Sequence, residues 1–216
     1  LVPLQHPGLI VAALEDAVLT HGLAGVEISS FAEDVELSDS RLEPFWRRAA
    51  ELNAVVFLHP FGCSLDERLD RFYLANTVGQ AVENAVAISH LIFSGVLDRH
   101  PALRIIAAHG GGYLPTAIGR SDHAWRVRSD ARGCQHPPSE YLSRMWFDTV
   151  VHDARALQQL IEVAGADRVV LGSDYPFDMG SEDPIGFVRS AGLDEQTIQR
   201  ILSVNAAELI SAQPPE

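Results

Sequence analysis

No lysine occurs in the 216 residues, so all 16 basic side chains apart from histidine are arginine. That absence excludes Schiff-base chemistry, a lysine-anchored pyridoxal phosphate and a P-loop. It also excludes a carbamylated lysine bridging two metals. Cysteine is nearly absent. Cys63 and Cys134 lie far apart in the sequence, which argues against a disulfide framework and for a reduced, cytoplasmic protein. Positive charge is scarce: 29 acidic residues bring the formal charge to −13, which argues against a nucleic-acid partner. No apolar run reaches the roughly 18 residues of a membrane span. The opening "LVPLQHPGL" has neither the basic start nor the apolar stretch of a signal peptide.

What is present is an alternation of helix and strand. "GLIVAALEDAVLTHG" has apolar residues at helical spacing and stops at Gly22, and "AGVEIS" reads as a short strand. "SRLEPFWRRAAELN" is helical, with Ser40 as cap and Glu43 as its capping-box partner. "AVVFLH" is a buried strand, followed by a long helical region from about Asp66 to Leu97. "RIIAAH", "RMWFDTV" and "DRVVLGS" are further strands. "LPTAIGRSDHAWRVR" and "DARALQQLIEVAG" are helices between them. Two short helices, Pro184–Ser190 and Glu195–Leu209, close the chain. Ser129 to Glu140 is the one excursion, read as a surface loop or lid.

Five nearly continuous apolar strands alternating with helices predict an α/β fold with a parallel sheet covered on both faces. Residues 1–216 read as a single domain. An open doubly wound sheet would carry a glycine-rich phosphate turn after an early strand, and "SSFAEDVEL" is not one. "HGGG" lacks the spacing of a dinucleotide fingerprint. The remaining architecture is part of a barrel.

Three strands end in a residue able to bind metal or move a proton. "VVFLHP" ends in His59, "RIIAAHGGG" in His109 and "RVVLGSD" in Asp174. In a parallel barrel these ends share one face, where active sites sit. A single histidine at the end of an apolar strand is more often structural, but three coincidences at one end reverse those odds. Imidazole and carboxylate suit zinc or a similar divalent ion, and a second histidine nearby could shuttle a proton. Gly110–Gly112 would let substrate approach the backbone, or simply make a tight strand-to-helix turn.

The motifs "FLHPFG", "AAHGGGYLPTAIGR", "MWFDTVVHD" and "VVLGSDYPFDMG" resemble the amidohydrolase-related (amidohydrolase 2) family, of the aminocarboxymuconate-semialdehyde decarboxylase type. The resemblance implies a TIM-like (β/α)8 barrel of the metal-dependent hydrolase type, with a divalent metal, commonly zinc. It implies non-oxidative decarboxylation of an aromatic or unsaturated carboxylic acid, through an acid/base histidine and metal-activated water. His59 and Asp174 match metal ligands, and His109, with Asp174, matches the catalytic pair. Arg120 matches an arginine that reaches a neighbouring subunit's site and binds substrate carboxylate, so a homodimer is expected. The family's His-x-His pair has no counterpart among the nine histidines. The five strands then correspond to strands four to eight, and the leading third of the barrel is expected to be missing from this sequence. A metal held by His59 and Asp174 alone would bind weakly. A hydrolase of an amide, ester or lactone on the same scaffold, and an inactive fragment or binding module, are the alternatives.

Other residues carry weaker readings. Glu27 is read as a strand-end polar residue before a bridging ligand, and His152 as a surface histidine. Asp148 is read either as a hydrogen-bond partner of a ligand residue or as a buried structural aspartate. Tyr175 and Phe177 are pocket walls or simple packing, Cys63 a small buried thiol, and Asn205 a helix cap. Arg126, Arg128 and Arg132 are a solvated face or part of a lid.

Overall fold

The computed structural model describes residues 1–211. Helix α1 (Pro7–Glu15) carries proline in its first turn, where no amide hydrogen is needed. It runs into a π turn over Asp16–Thr20, and Gly22 at φ 66° ends the segment where the sequence predicts. Strand β1 (Gly25–Ile28) follows, then a small hairpin of β2 (Phe31–Ala32) and β3 (Val35–Glu36) that the periodicity does not reveal. The expected Ser40–Glu43 capping box does not form. The Asp39 carboxylate instead accepts from the Arg41 amide at 2.8 Å and caps a 3-10 turn ahead of α2 (Glu43–Glu51). Glu43 is drawn away by Arg99 and His100, at 3.0 and 2.7 Å.

Strand β4 (Val55–Leu58) is followed by the largest departure from the sequence reading. The single helix expected from Asp66 to Leu97 is four pieces. They are a 3-10 turn at Asp66–Leu69, a π turn at Ala75–Gly79, α3 (Gln80–Phe93) and α4 (Val96–Arg99). Phe72 and Tyr73 at φ 59° and 60° cannot continue a right-handed helix, and Gly95 at φ 73° separates α3 from α4. Then come β5 (Arg104–Ala107), α5 (Leu114–Val127), β6 (Trp146–Asp148), α6 (Ala154–Ala164) and β7 (Val169–Val170). Helices α7 (Pro184–Ser190), α8 (Glu195–Gln199) and α9 (Asn205–Ser211) finish the described chain, with a π turn at Arg200–Val204 dividing the expected last helix. Asn205 does not act as a cap. It is 1% exposed and its amide donates to the Ala166 and Val169 carbonyls at 2.8 and 2.7 Å, tying α9 to β7.

The main sheet runs β1-β4-β5-β6-β7, every pair parallel. Neighbours in space follow chain order without reversal, which is the winding of a barrel and not of a doubly wound sheet. The register aligns Glu27, Phe57, Ile106 and Trp146 in one row. Because side chains alternate along a strand, Ile28, Val56, Leu58, Ile105, Ala107, Phe147 and Val169 point to the opposite side. Those seven are at most 1% exposed and join one buried cluster with Ile88 and Leu91 of α3 and Leu157 and Leu160 of α6. Burying each large member stabilises the fold by about 1.5–3 kcal/mol.

Candidate active site

His59 lies one residue beyond β4, two positions after Phe57 and so on the same side of the sheet. His109 follows β5 and turns inward through a backbone at φ 52°. Asp174 follows β7 and does the same at φ 58°. Left-handed backbone at such residues costs about 1–3 kcal/mol each and persists where surrounding structure holds it. The result is a cluster at the strand ends. One ligand atom each from His59, His109 and Asp174 lies within 4.8 Å of the others. His59 Nε2 is 3.6 Å from Asp174 Oδ1, and His109 Nε2 is 3.7 Å from Asp174 Oδ2. All three side chains are largely buried, at 14, 17 and 12% exposure.

Each partner is fixed by its neighbours. Burial lowers the pKa of His59, the nearby His109 lowers it further, and Asp174 and Glu27 oppose them. A neutral imidazole with a free lone pair is the form that binds metal. Its Nδ1 is buried and has no partner among the described residues. His109 is held differently. Asn84, fully buried on α3, donates its amide to the Ala108 carbonyl at 2.9 Å and presents its other N–H to His109 Nδ1 at 3.4 Å. That makes Nδ1 the acceptor and puts the proton of the neutral ring on Nε2, facing Asp174. His59 is therefore suited to ligation and His109 to proton donation.

Asp148, at the end of β6, accepts from the Gly110 and Val150 amides, both at 3.0 Å. Burial pushes its carboxyl up, against the pull of His109 and of those amide groups. It thus anchors the turn that carries His109. The glycines after His109 serve packing. A Cβ on Gly112 would fall 2.0 Å from the Ala81 carbonyl oxygen, so α3 can approach only because none is there.

Two cavities of about 350 Å³ flank the cluster. One is lined by Asn76, Gln80, His109, His152, Asp174 and Met179, among others. The other holds Glu27, Phe57, His59, Asp174, Tyr175 and Phe177. Tyr175 and Phe177 thus wall the site, and Phe177 stacks on His59 with ring centroids 6.4 Å apart. A larger groove of about 520 Å³ on the outer side of α3 contains none of the three clustered residues. The Tyr73 hydroxyl donates to Asp178 at 2.6 Å and ties the loop after β4 to the loop after β7 at the mouth.

The remaining expected residues fall as follows. Glu27 lies inside, on the His59 side of the sheet, outside the three-residue cluster. His152 lies at the mouth and is exposed, at φ 55°. Arg120 is exposed on α5, lines neither flanking cavity and has no ion pair among the described residues. The excursion at residues 129–140 is no lid. Ser139 is bonded to Asp122, and Gln135 to Asp98 and Tyr141, on the outside of the sheet's helices. Arg128 pairs with Asp130 on that same surface.

The sequence reading missed Asn84 and Glu83. Glu83 is 2% exposed and accepts from the Ser64 amide and hydroxyl at 2.6 Å, bracing the loop after His59. The signal for Asn84 was present: it shares the spacing of Ala87, Ile88 and Leu91 on the buried side of α3.

The donor set fits a divalent ion. Two atoms bound to one tetrahedral zinc at about 2.0–2.1 Å stand roughly 3.3 Å apart, close to the 3.6 Å between His59 and Asp174. That gap is wider than a hydrogen bond.

The profile of the family described as amidohydrolase matches residues 1–211. The 2-amino-3-carboxymuconate-6-semialdehyde decarboxylase of Dictyostelium discoideum is 35% identical across 99% of this chain and 60% of its own length. The gamma-resorcylate decarboxylase of Rhodococcus jostii is 28% identical across 96% of this chain and 68% of its own. Among solved structures, the dihydroxybenzoic acid decarboxylase of a Polaromonas species carries bound manganese and the inhibitor 2-nitroresorcinol. It is 26% identical with a TM-score of 0.88, covering 97% of this chain and 67% of that one. The chain therefore spans about 60% of the length of the Dictyostelium relative.

Proposed function

From the premise that this chain belongs to the amidohydrolase family and forms part of its (β/α)8 barrel, we propose that it serves a metal-dependent decarboxylase of an aromatic or unsaturated carboxylic acid. The observation that carries the reading is the meeting of His59, His109 and Asp174 at the ends of β4, β5 and β7. His59 and Asp174 would hold a divalent cation, zinc by the mixed imidazole and carboxylate donors. When bound, that cation supplies Lewis-acid charge that draws and polarises substrate oxygens. His109 delivers a proton from Nε2 to the substrate carbon that bears the carboxylate and regains one from water, so the ring is neutral again after each turnover. The bond to the carboxylate carbon then breaks, its electron pair stays with the protonated fragment, and carbon dioxide leaves. Asp174 faces His109 Nε2 and keeps the ring aimed, while Asn84 and Asp148 fix the other side of that turn. Phe177 and Tyr175 wall the His59 side of the site.

Arg120, exposed and in no ion pair among the described residues, is assigned to a substrate carboxylate in a neighbouring protomer of a homodimer. A single domain over residues 1–216 and a cytoplasmic setting belong to the same proposal. Among the described residues no helix is long and apolar enough to cross a membrane.

The test is carbon dioxide release from ortho-hydroxylated and unsaturated carboxylic acids in the presence of zinc or manganese. His109→Asn should lower turnover by about 10²–10⁴-fold while the protein stays folded. Mixing inactive His109→Asn with inactive Arg120→Ala should restore activity if the arginine serves the other protomer. Hydrolysis of a lactone or ester without carbon dioxide release would replace the decarboxylase reading with a hydrolase.

A further inference from the structure

Val82, Ala85, Val86, Ser89 and Phe93 recur on α3 at spacings of three and four, so they form a stripe beside the buried one of Ala87, Ile88 and Leu91. That stripe lines the outer groove of about 520 Å³, together with His90 of α3, Ser38 just after β3 and Tyr113 ahead of α5. Ser38 Oγ lies 2.7 Å from His90 Nδ1, across 52 residues of sequence. His90 Nε2 lies 3.5 Å from Glu36 Oε2. A carboxylate on that side draws the proton of the neutral ring to Nε2 and leaves Nδ1 to accept from the Ser38 hydroxyl. The imidazole is 34% exposed and Ser38 is half-buried, so both can be reached from the groove. Ser94 lines the same groove, and its hydroxyl is enclosed without a hydrogen-bond partner among the described residues.

We propose that Ser38, His90 and Glu36 form a second, metal-independent site that hydrolyses an uncharged, short-chain carboxylic ester. Carboxylate, imidazole and hydroxyl stand in the order that activates a serine, with the two ring nitrogens exchanging their usual places, and such a set is recognised by roles and geometry. The Ser38 oxygen attacks the ester carbonyl carbon as its proton passes to His90 Nδ1, and Glu36 faces the Nε2–H of the resulting imidazolium. The bond from that carbon to the alcohol oxygen then breaks, and the alcohol leaves with the proton from Nδ1. Water attacks the acyl-serine, gives a proton to Nδ1 and releases the acid, and Nδ1 returns the proton to Ser38. The enclosed Ser94 hydroxyl is the donor the groove offers to the oxyanion, where its missing partner would be supplied. Val82, Ala85, Val86 and Phe93 suit the acyl chain, and no carboxylate, arginine or lysine lines the groove to hold a charged one. The site stands apart from the metal cluster and does not depend on the decarboxylase reading.

The test uses the full chain in excess EDTA, with p-nitrophenyl butyrate as substrate and a fluorophosphonate as label, the labelled residue being located by peptide mass mapping. The wild-type protein should release nitrophenolate with an initial burst, the mark of an acyl-enzyme, and should carry the label on Ser38. Ser38→Ala should fall to the rate of buffer alone, His90→Gln should lose at least about 10²-fold, and Glu36→Gln at least about tenfold. Thermal melting of each variant shows that it is folded. Should Ser38→Ala not fold, labelling of wild-type Ser38 and its loss in His90→Gln decide the matter. Label on another residue, no hydrolysis above buffer, or equal hydrolysis by folded Ser38→Ala overturns the proposal and leaves the Ser38–His90 bond as a tie between the β2–β3 hairpin and α3. Hydrolysis that appears only without EDTA belongs to the metal cluster and overturns it as well.

Discussion

On the helix side of the main sheet, Ile28, Val56, Leu58, Ile105, Ala107, Phe147 and Val169 are at most 1% exposed, and every one is apolar. On the other side, Glu27, Phe57, Ile106 and Trp146 are only partly buried, and the strand ends carry His59, Asp148 and Asp174. The positive φ angles of His109, His152 and Asp174 sit at the edge of that second side. Packing energy is concentrated on one surface of the sheet, while polar groups and strained backbone are gathered at the C-terminal edge of the other. The difference teaches that stability and chemistry are separable here, and substitutions on the two sides should give different phenotypes.

The largest expected effect is on the packed side. Phe147→Ala should cost about 3–5 kcal/mol in urea denaturation, because the cavity forms where nothing can collapse into it. Asp148→Ala strikes the junction between the two sides. It leaves the Gly110 and Val150 amides buried without their acceptor, for a loss of about 1–3 kcal/mol in the same measurement. A loss as large as that of Phe147→Ala would mean the junction belongs to the packed side.

The open side should respond to pH. Burial lowers the His59 pKa below its ordinary 6.5, so the unfolded chain takes up the proton first as acid is added. The contribution of His59 is fully present above 6.5 and is lost as pH falls from there toward the depressed folded value. Melting temperature followed across that range should fall more steeply for the wild-type protein than for His59→Gln. The smallest effect is expected at Arg120, exposed on α5 and in no ion pair among the described residues. Arg120→Ala should leave stability within about 0.5 kcal/mol, while turnover falls if the arginine serves substrate in a neighbouring protomer, as proposed.

Much of this was legible in the chain. His59, His109 and Asp174 announce themselves because apolar strands of period two end abruptly in a ligand-forming residue. The count and order of the five main-sheet strands follow from the same apolar runs, while the β2–β3 hairpin does not. The breaks at Phe72 and Gly95 were not legible, since the apolar spacing on either side of them continues as if one helix ran through. Ser40 and Glu43 have the letters of a capping box, but Arg99 and His100 compete for Glu43 from more than fifty residues away. Asn205 was misread for a similar reason: its partners are carbonyls across the fold from it. The family resemblance already implies His59 as ligand and His109 as acid, whereas the Asn84 contact that orients His109 is a fact of packing and not of local spacing.

The most direct test of the account is a manganese titration followed by electron paramagnetic resonance, on the wild-type chain and on Asp174→Asn, His59→Asn and His109→Asn. The expected result is weak binding of one ion per chain, abolished by the first two substitutions and retained by His109→Asn. Binding that survives Asp174→Asn, or that disappears with His109→Asn alone, would contradict the division of roles drawn from the structure.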